Sequence, residues 1–595
     1  PENYLEIIEK LAENPEYEDN ITALKEVIPT PLKATEIDMQ LGMTWIDPKI
    51  IQQFMYETFD TPLPLRENPE SKKFDSGAIT VNFSEAGKGS WKINNARYDH
   101  SVKATKSFGT NDYNAYEILE KILNSKPVIV TDVEKDHTTG KTKTIVLEKE
   151  TRAAEDRAKL IQNEFKKWIF KEPERRNQLV ETYNHKFNAI RPRQYDGSSL
   201  NFIGSNPEIN LKPHQKNAVA HALFGGNTLF AHEVGAGKTF EMIATAMEGK
   251  RLGLHNKSMF VVPNHLTEQI GSDFMKLYPN ANILVAKPDD FSPQKRRQMC
   301  ARIATGNFDA VIIGHSQLIK IPLSAKREQE FIQNQINEIT ESITATKNAG
   351  GANYTIKELE KARAALKERF DKLVNSTVKD STVTFEELGI DKMFVDEAHE
   401  FKNLFIATKM ENVSGLATNP DTQKTQDLYM KCQYLDEKTN SKGVVFATGT
   451  PVTNALSEMF TMMKYLQTDL LKETGLSNFD SWAGNFTKRT NDLEIAPSGN
   501  EWRTKTRLKF TNVPELVTMF KECADIKMAD QLNLDVPECK KEIVAVEPTE
   551  IQKKFVESLG ERADKISMGA VSRTEDNMLL IVGDGGKLGL DQRLL

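Results

Sequence analysis

The residues with the clearest chemical pattern are His232-Glu-Val-Gly-Ala-Gly-Lys-Thr239. Gly235 and Gly237 permit a tight turn around Ala236 whose amides point inward, and a helix starting directly afterwards adds partial positive charge, so the turn can cradle a polyphosphate. Lys238 can neutralise charge on the outer phosphates, and the Thr239 hydroxyl can serve as a magnesium ligand. His232 stands where the strict phosphate-loop pattern has glycine, so the match is to the shorter Gly-x-Gly-Lys-Thr form, which alone could also be an ordinary turn.

A second group is Asp396-Glu-Ala-His399, at the end of the apolar run Met393-Phe-Val395. Asp396 can hold magnesium through its water shell, and Glu397 can polarise an attacking water; alone, two acids at a strand end could be a solvated turn. A third group, Ala447-Thr-Gly-Thr-Pro-Val-Thr-Asn454, also follows an apolar run. The hydroxyls of Thr448 and Thr450 and the flexible Gly449 suit a hydrogen-bond relay between a γ-phosphate and a moving surface; in isolation the string is a strand-to-helix turn.

These groups need strands that end at a common edge. From Leu211 the chain offers them, as short apolar runs alternating with helical stretches: Thr228-Leu-Phe-Ala, Ser258-Met-Phe-Val-Val, Asn282-Ile-Leu-Val-Ala, Ala310-Val-Ile-Ile, Lys392-Met-Phe-Val and Gly443-Val-Val-Phe-Ala. Unbroken apolar strands separated by helices predict a parallel sheet covered on both faces. The expected fold is α/β, a doubly wound parallel-sheet lobe. Ile332, Ile336, Ile339 and Ile343, then Leu359, Ala362, Leu366, Phe370 and Leu373, are spaced as two helices around Gly350-Gly351. They predict a helical-hairpin insertion, whose mixed charges fit either solvated faces or contacts to DNA or a partner.

Before the lobe lies a region of α+β texture. Strand-like runs at Ala78-Ile-Thr-Val-Asn-Phe83 and Pro127-Val-Ile-Val-Thr131 and a helix over Arg152 to Phe170 lead to linkers at Gly197 and Gly204. Trp91-Lys-Ile-Asn-Asn-Ala-Arg97 and Arg191-Pro-Arg-Gln-Tyr195 mix basic and aromatic residues, a pattern that fits nucleic-acid contact or an accessory fold packed on the lobe. The expected division is an accessory region over 1–205, the lobe over 206–321 and 386–535, the hairpin over 322–385, and the start of a second lobe over 541–595.

The three chemical groups, with Leu211-Lys-Pro-His-Gln215 ahead of them, resemble the motor motifs of the Swi/Snf-type ATPases of helicase superfamily two. The resemblance implies a RecA-like lobe, adenine recognition by Gln215, ATP bound at Gly235, Ala236, Gly237, Lys238 and Thr239, Mg2+ at Thr239 and Asp396, and hydrolysis by Lys238, Asp396 and Glu397. It further implies coupling through Thr448, Gly449 and Thr450. The tail Asp396-Glu-Ala-His-Glu-Phe-Lys-Asn403 resembles that group more than strand-separating DEAD-box or DEAH-box enzymes, and His214 stands where that group commonly has tyrosine. Two further strings look like its DNA-facing motifs. They are Pro263, Asn264, His265 and Gln269 in Val261-Val-Pro-Asn-His-Leu-Thr-Glu-Gln269, and His315, Ser316 and Gln317 after Gly314. Such side chains bind phosphate backbone without reading sequence, and equally they cap helices.

At closer range, Asn217-Ala-Val-Ala-His-Ala-Leu, Val262-Pro-Asn-His-Leu-Thr-Glu-Gln and Phe385-Glu-Glu-Leu-Gly resemble the methylase–helicase fusion proteins of bacterial conjugative elements and phages, over most of residues 130 to 595. The sequence has no [DNS]PP[YFW] tetrapeptide, so no methyl transfer is assigned. The implied partner is double-stranded DNA, with single strands as the alternative, and the implied activity is ATP-driven translocation or remodelling serving mobile-element DNA processing or defence against restriction. The competing reading is a non-catalytic DNA-binding or scaffold module switched by nucleotide.

Lys541-Glu-Ile-Val-Ala-Val-Glu-Pro-Thr-Glu-Ile-Gln552 resembles the strand and helix entering a second motor lobe, and no arginine-bearing motif of that lobe follows. The expectation is therefore a fragment that binds ATP but turns it over slowly.

Composition sets the outer bounds. With 595 residues, 39% hydrophobic and 27% charged, the chain is a multidomain globular protein. No apolar run approaches the ~18 residues of a membrane span, and the expected location is the cytoplasm. Cys300, Cys432, Cys523 and Cys539 are too scattered for a zinc site or a disulfide framework. The net charge of -7 neither points to nor excludes nucleic acid, because a whole-chain sum hides local grooves.

Overall fold

Four short strands precede the main sheet: β1 (Val81–Ser84) pairs antiparallel with β2 (Ser90–Ile93), and β3 (Thr131–Lys135) with β4 (Thr142–Val146). Helices Pro48–Thr58 and Ala115–Leu123 cover the first pair, and Glu148–Trp168 packs on both helices. Phe54, Phe59, Tyr116 and Phe165 meet edge to face in this core. These observations come from a computed structural model, which describes residues 2–594 apart from 13, 68–76, 85–89, 136–141, 190, 349–352, 376–382, 407, 409, 411–412, 414, 417–422, 454, 496–501, 533–538, 568–569 and 573–574.

The accessory region departs from expectation in two places. Residues 127–130 form a buried lead-in to β3 rather than a strand, because the Val130 amide bonds Thr151 Oγ1 and its carbonyl accepts from Leu147. Trp91 is fully buried and unavailable to stack on a base, and Tyr195 stacks on His221 of the lobe at 4.3 Å. Phe187 also packs edge-on against Phe486, so this region and the lobe share a core within one unit.

The main sheet holds β5 (Thr228–His232), β6 (Ser258–Val262), β7 (Ile283–Val285), β8 (Ala310–Gly314), β9 (Lys392–Asp396) and β10 (Val444–Ala447). After the two-stranded sheet β11 (Thr487–Ile495) with β12 (Trp502–Phe510), the chain adds a seventh strand, β13 (Ala524–Lys527). The order is β13-β5-β10-β9-β6-β8-β7, and every pairing is parallel. β5, β6, β8, β9 and β10 are buried along their whole length, as runs of valine, isoleucine, phenylalanine and alanine require when helices cover both faces. The six expected strands are present. β13 was not expected, since Ala-Asp-Ile-Lys is short and half charged.

The insertion is a pair of helices, Ala325–Asn348 and Asn353–Asn375. Ile332, Ile336, Ile339 and Ile343 of the first pack with Leu366 of the second and with Phe405 of the lobe. The expected Gly350-Gly351 turn lies outside the described residues. The Phe385 amide donates to the Pro322 carbonyl at 2.8 Å, which brings the two ends of the insertion together. Arg327 forks onto Glu437 at 2.9 and 3.1 Å, anchoring the hairpin's root on helix Gln423–Thr439.

Two units are distinguished: residues 1–411, 415–488 and 509–533, and residues 412–414, 489–508 and 534–595. In the smaller unit Arg562 bridges Asp576 and Asp584, tying helix Glu550–Ser567 to helix Met578–Leu590. The strand expected after Lys541 is instead an extended segment. Ile543, Val544 and Val546 are at least 80% exposed, and the segment pairs with no strand among the described residues. Among the described residues no helix is long and apolar enough to cross a membrane.

Candidate functional site

Parallel strands all end at one edge of the sheet, and here that edge gathers the three chemical groups. β5, β10 and β9 are neighbours, with Ala447 opposite Asp396 on one side and opposite Phe230 on the other. The 233–237 loop leaves β5 with Gly235 at φ 87° and Gly237 at φ 90°, conformations that side-chain-bearing residues rarely adopt. A Cβ on Gly237 would lie 2.2 Å from Gln215 Nε2, so a side chain there would have to displace the Gln215 amide. Helix Lys238–Arg251 starts directly after. The Lys238 ammonium donates to the carbonyls of His232 at 2.9 Å and Glu233 at 3.2 Å, folding it across the loop.

Gln215 sits behind the loop. Its amide nitrogen donates to the Ala236 carbonyl at 3.1 Å, and its oxygen accepts from the Lys212 amide at 2.8 Å. His214 Nε2 lies 3.0 Å from the same Ala236 carbonyl. The side chain expected to read adenine is thus buried and engaged with the loop itself.

Asp396 is buried at the end of β9. Burial, with the neighbouring Glu397 charge, raises its carboxyl to about 6. Such a desolvated carboxylate is stabilised by a cation. Glu397 turns the chain in the left-handed region at φ 49°, an unfavourable conformation for a residue other than glycine and one that concentrates at functional sites. His399 Nδ1 lies 3.1 Å from Glu397 Oε2 and 3.0 Å from Thr448 Oγ1, joining the second group to the third. Thr448 Oγ1 accepts from the Thr450 amide at 3.1 Å. Lys402 pairs with the buried Glu458 at 3.1 Å, and Glu458 accepts from the Thr453 amide, so the third loop is braced from below. A Cβ on Gly449 would lie 3.3 Å from Val234, which places this loop directly against the 233–237 loop.

The same edge of the sheet, past the ends of β6 and β8, carries a cleft of about 270 Å³ lined by Pro263, Asn264, His265, His315, Ser316, Ile319, Glu400 and Lys424. The two polar strings are therefore brought together. Asn264 Oδ1 accepts from the Ser316 amide and hydroxyl at 3.1 and 3.0 Å. Within the strings the roles divide. Asn264, His265 and Ser316 are exposed, as is Gln269 one turn into helix Thr267–Leu277. Gln317 is buried and caps the Gly314 amide at 2.7 Å, so it does not face the cleft. His315 is also buried, and its Nε2 donates to the Asp396 carbonyl at 2.9 Å; burial holds its pKa down to about 4. These two residues position the cleft rather than present a free surface.

Residues 223–528, just over half the chain, match the family described as "Probable helicase domain". The chain belongs to this helicase-domain family. Residues 40–189 match a domain of unknown function, so the accessory region is a recurring unit. Defense against restriction protein B of Escherichia phage P1 is 22% identical over 449 residues, which is 68% of this chain and 20% of that protein. The chain thus spans about a fifth of that relative's length. A solved Sulfolobus solfataricus SWI2/SNF2 ATPase core in complex with dsDNA is similar at 13% identity, with a TM-score of 0.30, over 65% of this chain and 59% of that one.

Beneath the 233–237 loop of the helicase domain lies a charged group that sequence reasoning missed. His232 is fully buried, with Nδ1 2.9 Å from Glu241 Oε1 and Nε2 3.6 Å from Asp525 Oδ2, an ion-pair distance. Burial pulls the imidazole's pKa down, but the two carboxylates outweigh it and raise it to about 9. The last residue of β5 is thereby pinned to helix Lys238–Arg251 and to edge strand β13. The signal available was His232 itself, a side chain where the strict pattern has none. Among the described residues no cluster of three or more His, Cys, Asp or Glu could hold a metal alone.

Proposed function

We propose that this helicase domain is the nucleotide-binding lobe of an ATP-dependent motor of the Swi/Snf kind that moves along double-stranded DNA. The observation that carries the reading is the convergence of Lys238, Asp396–Glu397 and Thr448–Thr450 on adjacent ends of β5, β9 and β10.

The residues fit the groups this reading needs. Gly235 and Gly237, both at positive φ, turn the 233–237 loop around Ala236 as a phosphate cradle would, and Lys238, now resting on two carbonyls, is the cation for the outer phosphates. Thr239 and the desolvated Asp396 would hold Mg2+, which when bound supplies charge neutralisation at the phosphate oxygens. Glu397 orients and polarises a water for in-line attack. His399 has one Nδ1 shared between Glu397 and Thr448, and a single N–H serves one acceptor at a time. Which acceptor it serves links the water-activating carboxylate to the 448–450 loop. Asn264, His265, Ser316 and Gln269 supply sequence-neutral backbone contacts at the cleft.

The test is nucleotide binding and phosphate release with duplex DNA, single-stranded DNA or neither. Lys238→Ala should abolish nucleotide binding without changing thermal melting. Glu397→Gln should keep binding and lose whatever turnover duplex DNA elicits. A Lys238→Ala chain that binds Mg-ATP like the parent overturns the site. Nucleotide-dependent DNA binding with no turnover favours the switch module instead.

A further inference from the structure

The cleft contains one charge of each sign, Lys424 and Glu400. Lys424 lies in the first turn of helix Gln423–Thr439, where the helix dipole disfavours a cation. Glu400 places a carboxylate in a cleft otherwise lined by groups that suit a phosphate backbone. The two meet at 2.7 Å, and the ammonium also rests over the Phe401 ring at 4.5 Å. Both side chains remain reachable from solvent, at 33% and 51% exposure. Among the residues lining this cleft Lys424 is the one lysine or arginine, so it is the full positive charge available to a ligand there.

We propose that Lys424 is a DNA-phosphate contact that Glu400 occupies in the free protein, so that a phosphate enters by displacing a built-in competitor. This rests on the duplex-DNA reading above and adds its regulation. An exposed ion pair is worth little in water, so the exchange is easily driven, and a phosphate offers the ammonium the same charge-assisted hydrogen bond. Glu400 sits one short turn (Ala398–Phe401) after Asp396–Glu397, so its release takes place beside the hydrolytic pair.

The experiment is fluorescence anisotropy of a labelled duplex against the whole chain over a salt series. Lys424→Ala should weaken binding about five-fold and lower the salt slope by about one, the value for one lost phosphate contact. Glu400→Gln should tighten binding by about three-fold to five-fold, the worth of an exposed ion pair. In the Lys424→Ala background that gain should vanish, because the competitor has nothing left to occupy. Lys424→Arg should keep both affinity and slope. An undiminished Glu400→Gln gain without Lys424 means general repulsion and overturns the proposal, as does parental affinity in Lys424→Ala. If the parent binds duplex and neither variant changes it, this inference alone falls. If the parent shows no salt-dependent duplex binding, the DNA reading falls with it.

Discussion

Replacing His232 with phenylalanine keeps most of the ring volume and removes both nitrogens. Glu241 Oε1 then loses its 2.9 Å partner, while Oε2 has no hydrogen-bond partner among the described residues. A fully buried carboxylate is left with His214 Nε2, 3.9 Å away, as a weak substitute. Breaking one side of a buried charge pair costs ~3 to 5 kcal/mol, whereas replacing the whole pair with apolar groups is often neutral. His232→Phe should lose stability on that scale, and His232→Phe/Glu241→Leu should recover the part due to Glu241, Asp525 keeping Lys527 at 3.8 Å. If His214 turns to Glu241, it also leaves the Ala236 carbonyl, so the single variant should bind Mg-ATP more weakly as well. The pH dependence has a definite sign. With its folded pKa raised from 6.5 to about 9, His232 contributes stability that is complete below pH 6.5 and is lost as pH rises through about 9. At 1.36 kcal/mol per pKa unit the loss is on the order of 3 kcal/mol. Urea unfolding of the parent and both variants across this window is the assay. The parent's midpoint should fall with pH, and the double variant's should fall less. A single variant as stable as the parent, or a double variant no better than the single, refutes the reasoning.

Gly237→Ala puts a Cβ 2.2 Å from Gln215 Nε2 at φ 90°, so it should cost about 1 to 3 kcal/mol in strain and abolish Mg-ATP binding; calorimetric titration checks this, and parental affinity counts against the loop geometry. Excising Ser324 to Asp380 with a short Gly/Ser bridge should leave a folded lobe that still binds nucleotide, since the Phe385–Pro322 bond already joins the ends; an aggregated product tells against it. Asp436 is raised to about 7 by burial, with Asp469 and Glu437 adding, so its folded state keeps a proton and stability falls as pH rises from about 4 to 7. Asp436→Asn keeps the oxygen that accepts from Asn227 and should gain on the order of 1 kcal/mol above pH 7, after discounting for partial exposure; unchanged melting at pH 8 argues otherwise.

The lobe was legible because its central strands are buried on both faces, which forces unbroken apolar runs such as Phe260–Val262 and Val311–Ile313 that no surface element would carry. The hairpin was legible for the complementary reason: its isoleucines recur at helical spacing because each helix buries one stripe. β13 escaped the same logic. An edge strand makes one ladder, and Ala524-Asp-Ile-Lys527 shows neither an apolar run nor clean alternation. At 127–130 the opposite error arose, since apolar residues can be buried by a side-chain bond to Thr151 without joining a sheet.

The site divides along the same line. The glycines of the 233–237 loop and the strand-end Asp396-Glu397 pair are fixed by local backbone geometry, so spacing alone singles them out. The partners that tune them come from wherever the sheet order puts another strand end. Asp525 reaches His232 because β13 lies beside β5, an adjacency that no local pattern encodes. Lys424 reaches Glu400 because its helix packs on the turn Ala398–Phe401, and in the sequence it is one lysine among many. Gln317 shows the converse. Its type suited a phosphate contact, yet one buried bond to the Gly314 amide removes it from the cleft. Residue type and spacing therefore indicate which chemistry is present, while the order of strands decides which polar groups remain free to perform it.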